Sequence, residues 1–240
     1  MTNVGRFHRL FWWVAAALLV TQLAGCRRAP QPTPAPTPIP TPLATEAAAT
    51  PLPTTTLSAG WVEHQTTQLS IWLPIDWEVL DLSTGDLQAI FAGFQQSNPD
   101  LARIIGSPKN LQGTLFWGVR QASPADTFAD NLNIRRTSLG GQPLTDMADV
   151  VEPIVAQYRE LGFTVSVADA DLTIGGHRAA RIAYSFPMYL LDGRQTSVEG
   201  RQYLIATPTD LWILSYSASP DTVAELTPIF DRSAQSFRAK

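Results

Sequence analysis

"FTVSVADADLTIGGHRAARIAYSF", residues 163–186, decides the fold. Two runs of alternating character meet at Gly175-Gly176. A two-glycine step between alternating runs is a favoured hairpin turn, because both central positions of such a turn need positive φ. In the second run Ala180, Ile182, Tyr184 and Phe186 recur at every second position and so share one face of a strand. Downstream, Asp192-Gly193 marks another turn, and "RQYLIAT" (201–207) and "LWILSYS" (211–217) form a further hairpin across "PTD" (208–210). Strands joined this way, with no helix between them, build an antiparallel sheet.

Upstream of the hairpins the period changes. "PLTDMADVVEPIVAQYRELG" (143–162) carries Leu144, Met147, Val150, Val151, Ile154, Val155, Tyr158 and Leu161 on one helical face. Gly162 ends this element, which reads as the longest helix, and Pro153 inside it predicts a kink or the loss of its first turns. Asp146, Asp149 and Glu152 fall on the opposite face, as a solvated surface. Further upstream, Leu87, Ile90, Phe91 and Phe94 in "GDLQAIFAGFQQS" (85–97) make an i, i+3, i+4, i+7 stripe. "SNPDLARIIG" (97–106) predicts a second short helix, with Asn98 as cap, Pro99 in the first turn and Gly106 as the stop. "QLSIWLPIDW" (68–77) contains a strand over Leu69–Leu73 that Pro74 stops; "GTLFWGV" (113–119) is a strand and "NLNIRRT" (131–137) a less regular one. "DTVAELTPIFDRSAQSF" (221–237) is helical, with a break expected near Pro228. The order predicts an α+β domain over 59–240: an antiparallel sheet sandwiched by helices.

The 58 residues before this domain are of another kind. Pro30, Pro32, Pro34, Pro36, Pro38, Pro40 and Pro42 alternate with small or polar residues. Each proline fixes its own φ and restricts the residue before it, so the tract favours polyproline II and extends about 3.1 Å per residue. Residues 26–58 therefore read as a disordered Pro/Thr-rich linker, with nothing that could pack a core.

Residues 1–25 have the grammar of a signal peptide. Arg6 and Arg9 form a basic start, and Leu10–Gly25 is apolar but shorter than the roughly 20 residues that span a bilayer. The run ends in Leu23, Ala24, Gly25 and Cys26, the chain's single cysteine. "LAGC" resembles the lipobox of bacterial lipoproteins. The resemblance implies diacylglycerol on the Cys26 thiol, cleavage before Cys26, and a lipid anchor at the extracytoplasmic face of the cell membrane. Two or more acyl chains give stable attachment where one gives only a marginal one. An uncleaved signal anchor, or an ordinary secretory signal with a coincidental cysteine, are the competing readings.

Over about residues 60–238, "SIWLPIDW", the helix before "GFTV", "IGGHRAARIAYSF", the "DG" turn, "GRQYLIATPTDLWILSYSAS" and a last helix ending in "SF" together resemble the PsbP-like fold. This α/β/α sandwich is shared by the extrinsic photosystem II protein PsbP, a eukaryotic Ran-binding import factor and many bacterial lipoproteins. The resemblance implies a domain that binds partners or assists assembly rather than an enzyme. It carries over no functional residue.

Chemistry is harder to find. One cysteine excludes a disulfide framework and a cysteine-based zinc site within the chain. Net charge is −4, and loss of residues 1–25 removes two of 17 basic side chains and none of 21 acidic ones, moving it to −6. That sign disfavours nucleic acid as a partner. No G-x-S-x-G, H-E-x-x-H, P-loop or dinucleotide fingerprint is present. His177 with Asp169 and Asp171 is the one candidate metal constellation, set against the plainer reading of solvated hairpin residues; no cofactor is expected. His64 lies in a leading strand with no spaced partner. Trp61, Trp72, Trp77, Trp117 and Trp212 could line a ligand groove or simply pack the core; Trp77 and Trp72 are the ligand-binding candidates, with Trp77 expected to be partly exposed. Arg120, Arg135 and Arg136 could form a small basic spot. The expected role is a lipid-anchored extracytoplasmic binding or assembly-accessory protein without catalysis, its partner or small ligand unspecified. The alternatives are an extrinsic subunit of a photosynthetic or respiratory membrane complex and a membrane-tethered hydrolase with an unfamiliar site.

Overall fold

The structure, a computed structural model, describes residues 55–58, 60–83, 85–97, 99, 102, 107–121, 128–142, 144–190 and 193–240. The expected signal peptide (1–25), Cys26 and the proline tract lie outside these residues, as does all but residues 97, 99 and 102 of the helix expected at 97–106.

The described strands are β1 (Thr55–Ser58), β2 (Trp61–Gln65), β3 (Leu69–Pro74), β4 (Trp77–Asp81), β5 (Thr114–Arg120), β6 (Asn131–Ser138), β7 (Thr164–Ile174), β8 (His177–Tyr189), β9 (Gln195–Ala206), β10 (Asp210–Ala218) and β11 (Arg238–Ala239). The helices are α1 (Leu87–Ser97), α2 (Ala148–Glu160) and α3 (Val223–Ser236). Seven strands form one antiparallel sheet in the order β4-β5-β6-β10-β9-β8-β7; four more form a second sheet in the order β1-β2-β3-β11.

The hairpin predicted at Gly175-Gly176 is β7–β8, with Ile174 opposite His177 and both glycines at positive φ (59° and 82°). Alternation along the strands assigns the two faces of the large sheet. Ala180, Ile182 and Tyr184 of β8, Leu204 of β9, and Leu211 and Ile213 of β10 meet Val150, Val151, Ile154, Val155 and Tyr158 of α2. On the same side, at the far edge, Trp117 and Val119 of β5 meet Phe91 and Phe94 of α1. The opposite face presents Phe116, Leu132, Ile134, Ile205, Trp212, Leu214 and Tyr216 to α3 and to Leu69, Ile71 and Leu73 of the small sheet. Phe230 of α3 stacks on Tyr216 at 4.7 Å and meets Trp77 edge-on at 6.4 Å. A fully buried aromatic of this kind contributes roughly 1.5–3 kcal/mol.

The domain is thus α+β and antiparallel, with both faces of the large sheet covered. One face is covered by helices, as expected. The other is covered by α3 together with a second sheet. That sheet includes β1, which pairs Thr55 with Glu63 and Thr56 with Val62, so regular pairing begins four residues inside the stretch read as linker. Trp77–Asp81 is a strand where none was expected, because the step Ile75-Asp76 lets the chain leave one sheet and enter the other. The region 131–137, less regular in sequence, is an interior strand of the large sheet.

Neither proline breaks its helix. Pro153 and Pro228 each stand sixth in a continuous helix, and α3, at 14 residues, is one longer than α2. Proline at the sixth position removes a single bond, the one to the carbonyl four residues earlier, and each helix is clamped beyond it by an apolar stripe. The stripe is Ile154, Val155 and Tyr158 in α2, and Phe230 and Ala234 in α3.

Candidate functional site

The structure disperses most of the residues that sequence reasoning singled out. Asp169 lies 3.7 Å from the Arg181 guanidinium and accepts the Asp171 amide N–H at 3.1 Å, while His177 opens β8 at the hairpin. Among the described residues no three His, Cys, Asp or Glu side chains gather as a group that could hold a metal ion. Asp169 serves an ion pair instead. His64 is buried against Phe116, and burial pushes its imidazole down to about 4.

Trp77 is a correction: it is 4% exposed and belongs to the core, while Ile75, two residues before it, is 70% exposed. The turn that starts β4 aims the tryptophan inward against Phe230. Trp72 is half-buried in β3, where its amide N–H donates to Ser236 Oγ at 2.8 Å. Trp61 lies under the Arg232 guanidinium at 4.4 Å, Trp117 meets Phe94 at 5.8 Å, and Trp212 packs on Phe237 at 5.2 Å. Trp77 and Trp212 pack in the core between the sheets, Trp117 lies on the α1 side of the large sheet, and Trp61 and Trp72 share the other face of the small sheet, so the five rings do not line one groove.

Nor do the arginines form one basic spot. Arg135 and Arg136 are consecutive in a strand and therefore point to opposite faces. Arg136 lies over Trp212 at 5.5 Å, and Arg135 faces the α2 side. Arg120 is enclosed by carboxylates: Asp76 at 3.2 Å, Glu225 at 2.8 Å and Asp130 at 3.9 Å. Burial pulls its pKa down, but hydrogen bonds to Asp76 and Glu225 outweigh this and raise it, so the guanidinium is held firmly charged.

Two polar features that sequence reasoning missed remain. The first lies under α2. Asn133, Ser215 and Gln202 stand side by side in register on β6, β10 and β9. Gln202 Nε2 donates to Ser215 Oγ at 3.1 Å, and Tyr158 Oη donates to Gln202 Oε1 at 3.2 Å. Burial raises the Tyr158 phenol well above its ordinary range and the neighbouring Tyr184 to about 12. Gln202 and Tyr158 satisfy one another from opposite layers, so this row fixes where α2 sits on the sheet.

The second feature is open. β8 and β9 run on together beyond their neighbours: β7 begins at Thr164, opposite Ser185, and β10 ends at Ala218, opposite Glu199. Among the described residues, Phe186–Tyr189 and Gln195–Val198 therefore pair with each other alone and project as an arm, beyond which the Gly193 amide donates to the Leu190 carbonyl. Pro187 is tolerated there because β7 no longer runs alongside. At the root of the arm is an open concavity of about 370 Å³, lined by Gly162, Thr164, Ser185, Phe186, Pro187, Gln195, Thr196 and Ser197. Thr164, Ser185, Pro187, Gln195 and Ser197 share one face by register. The Thr164 and Ser185 hydroxyls make no hydrogen bond to another described residue, whereas Ser197 Oγ donates to Glu199 at 3.4 Å. No lining residue is ionisable.

No family model matches the chain, and no curated protein does. Among solved structures, the chain is similar to the solution structure of cyanobacterial PsbP (CyanoP) from Synechocystis, at 13% identity over 76% of this chain and 94% of that one, with a TM-score of 0.48. It is also similar to LpqN, a protein involved in cell envelope biogenesis of Mycobacterium tuberculosis, at 16% identity over 75% and 90% of the two chains, with a TM-score of 0.45. A Pseudomonas aeruginosa protein of unknown function is 21% identical over half of this chain, with a TM-score of 0.40.

Proposed function

We propose that the chain is a lipid-anchored, extracytoplasmic binding or accessory module without catalysis, and that the concavity at the root of the β8–β9 arm seats its ligand. The lipobox-like "LAGC" and the proline tract support the anchor and its tether. No helix among the described residues is long and apolar enough to cross a membrane. The observation that carries the binding role is a recess lined by neutral groups, in which the Thr164 and Ser185 hydroxyls have no partner among the described residues. Such groups hold and orient a ligand. An alcohol needs an adjacent base to become a nucleophile. His177 lies eight residues along β8 from Ser185, roughly 26 Å at about 3.3 Å per residue. His64 is buried in the layer between the two sheets.

Two measurements on the full chain test this reading. Palmitate labelling and membrane fractionation should mark and retain the native protein and neither mark nor retain Cys26→Ser. In a thermal-shift screen of uncharged small molecules, at least one should raise the melting temperature of the native chain and leave Ser185→Trp, whose recess is filled, unmoved. Equal membrane retention of Cys26→Ser would overturn the anchor, and a screen with no difference between the two proteins would overturn the seat.

A further inference from the structure

Resting on that reading of the recess, we propose that its ligand is a neutral pyranose ring carried within a longer glycan. The lining sets the chemistry. On the shared face the Thr164 and Ser185 hydroxyls and the Gln195 amide each donate and accept, Ser197 Oγ accepts, and Pro187 adds an apolar surface; Thr196 and Phe186 reach the recess from the other face by register. An apolar ligand would cover these hydroxyls without pairing them, which costs the desolvation of each. A charged ligand would find no counter-charge in the lining, and an anion would also meet Glu199, next along the same face of β9. What fits is a molecule dense in hydroxyls, with one carbon-rich face: a sugar ring.

Two further observations agree. Tyr189 stands on the same face as Pro187, opposite Gln195, and is 72% exposed, one of three large hydrophobic side chains left open among the described residues. An aromatic ring with an apolar face and a polar tip is suited to stack on the carbon face of a sugar while its hydroxyl meets the ring's substituents. The recess, at about 370 Å³, lies near the lower end of the range for small-ligand sites and is open to solvent, so a ring can enter with its neighbours still attached.

The test uses the full chain in a detergent without a sugar headgroup, titrated calorimetrically with chitobiose and with cellobiose. At least one should bind saturably with a Kd on the order of 1 mM. Gln195→Ala and Tyr189→Ala, both at exposed positions, should melt like the native chain and bind at least tenfold more weakly. Saturation by neither disaccharide, or equal affinity in both variants, overturns the sugar. The uncharged peptide N-acetyl-dialanine amide separates the two levels of inference. If it shifts the native melting temperature but not that of Ser185→Trp while both sugars fail, the sugar is wrong and the binding seat stands. If it fails as well, both are wrong.

Discussion

Tyr158 of α2 and Gln202 of β9 are joined by a hydrogen bond of 3.2 Å that crosses from the helical layer to the sheet inside an otherwise apolar contact. Tyr158→Phe removes the donor and leaves the amide oxygen of a residue that is 1% exposed without one. The expected cost is about 1–3 kcal/mol in urea unfolding. The double variant Tyr158→Phe/Gln202→Leu should cost less than the two single changes summed, because it removes both polar partners; strict additivity would show that the pair is not coupled.

His64 predicts a specific acid sensitivity. Its folded pKa is lowered from 6.5 to about 4 by burial. Below pH 6.5 the unfolded chain takes up a proton that the folded chain refuses, so stability falls as pH drops and levels off below about 4. The full effect is on the order of 3 kcal/mol. Unfolding of the native chain and of His64→Leu at pH 7.5, 5.5 and 4 should give a stability difference that narrows or reverses as the solution is acidified. A constant difference would contradict a buried neutral imidazole.

Asp130, 1% exposed, accepts from the Ser219 amide at 3.1 Å and the Thr222 hydroxyl at 2.8 Å while facing Arg120. It ties the entry of α3 to the start of β6. Asp130→Ala should cost about 2–4 kcal/mol. Glu225→Ala, which removes an Arg120 partner that is 62% exposed, should cost no more than about 1 kcal/mol. Comparable losses in chemical denaturation would refute this division between the two carboxylates.

Gly200 has extended backbone but no room. A Cβ placed there would run into the Tyr184 ring, which lies across it. Gly200→Ala should therefore destabilise by about 1–3 kcal/mol, and adding Tyr184→Leu should recover part of that loss. Thermal unfolding of the three variants reads the outcome, and a fully tolerated Gly200→Ala would mean that the ring moves freely.

The elements legible in the sequence are those whose signal is local. Gly175-Gly176 fixed a turn, the 3.6-residue period of Val150, Val151, Ile154, Val155 and Tyr158 fixed a helix, and "LWILSYS" fixed a strand. β6 looked irregular because its α2-side positions, Asn131, Asn133 and Arg135, are polar, and only its place beside Ser215 explains them. The small sheet was hidden for another reason: it closes by pairing Arg238 with Ser70, a contact that leaves no periodic trace in either segment. The arm was hidden by Pro187, a residue that normally argues against a strand. The recess was not legible at all. Thr164, Ser185 and Ser197 are spaced like any solvated strand residues until the register sets them on one face, and Trp77, a candidate by its size, belongs to the core.

The four-residue strand that opens the domain carries a mechanical consequence. On the proposed anchor at Cys26, a pull on the N-terminal segment would arrive first at β1, which sits on the outer edge of the smaller sheet and, among the described strands, pairs with β2 alone. That ladder is short enough to part under a load that the long β8–β9 ladder would withstand. On that proposal β1 is a sacrificial link: it would yield a few residues of slack while the recess, on the far edge of the other sheet, keeps its shape.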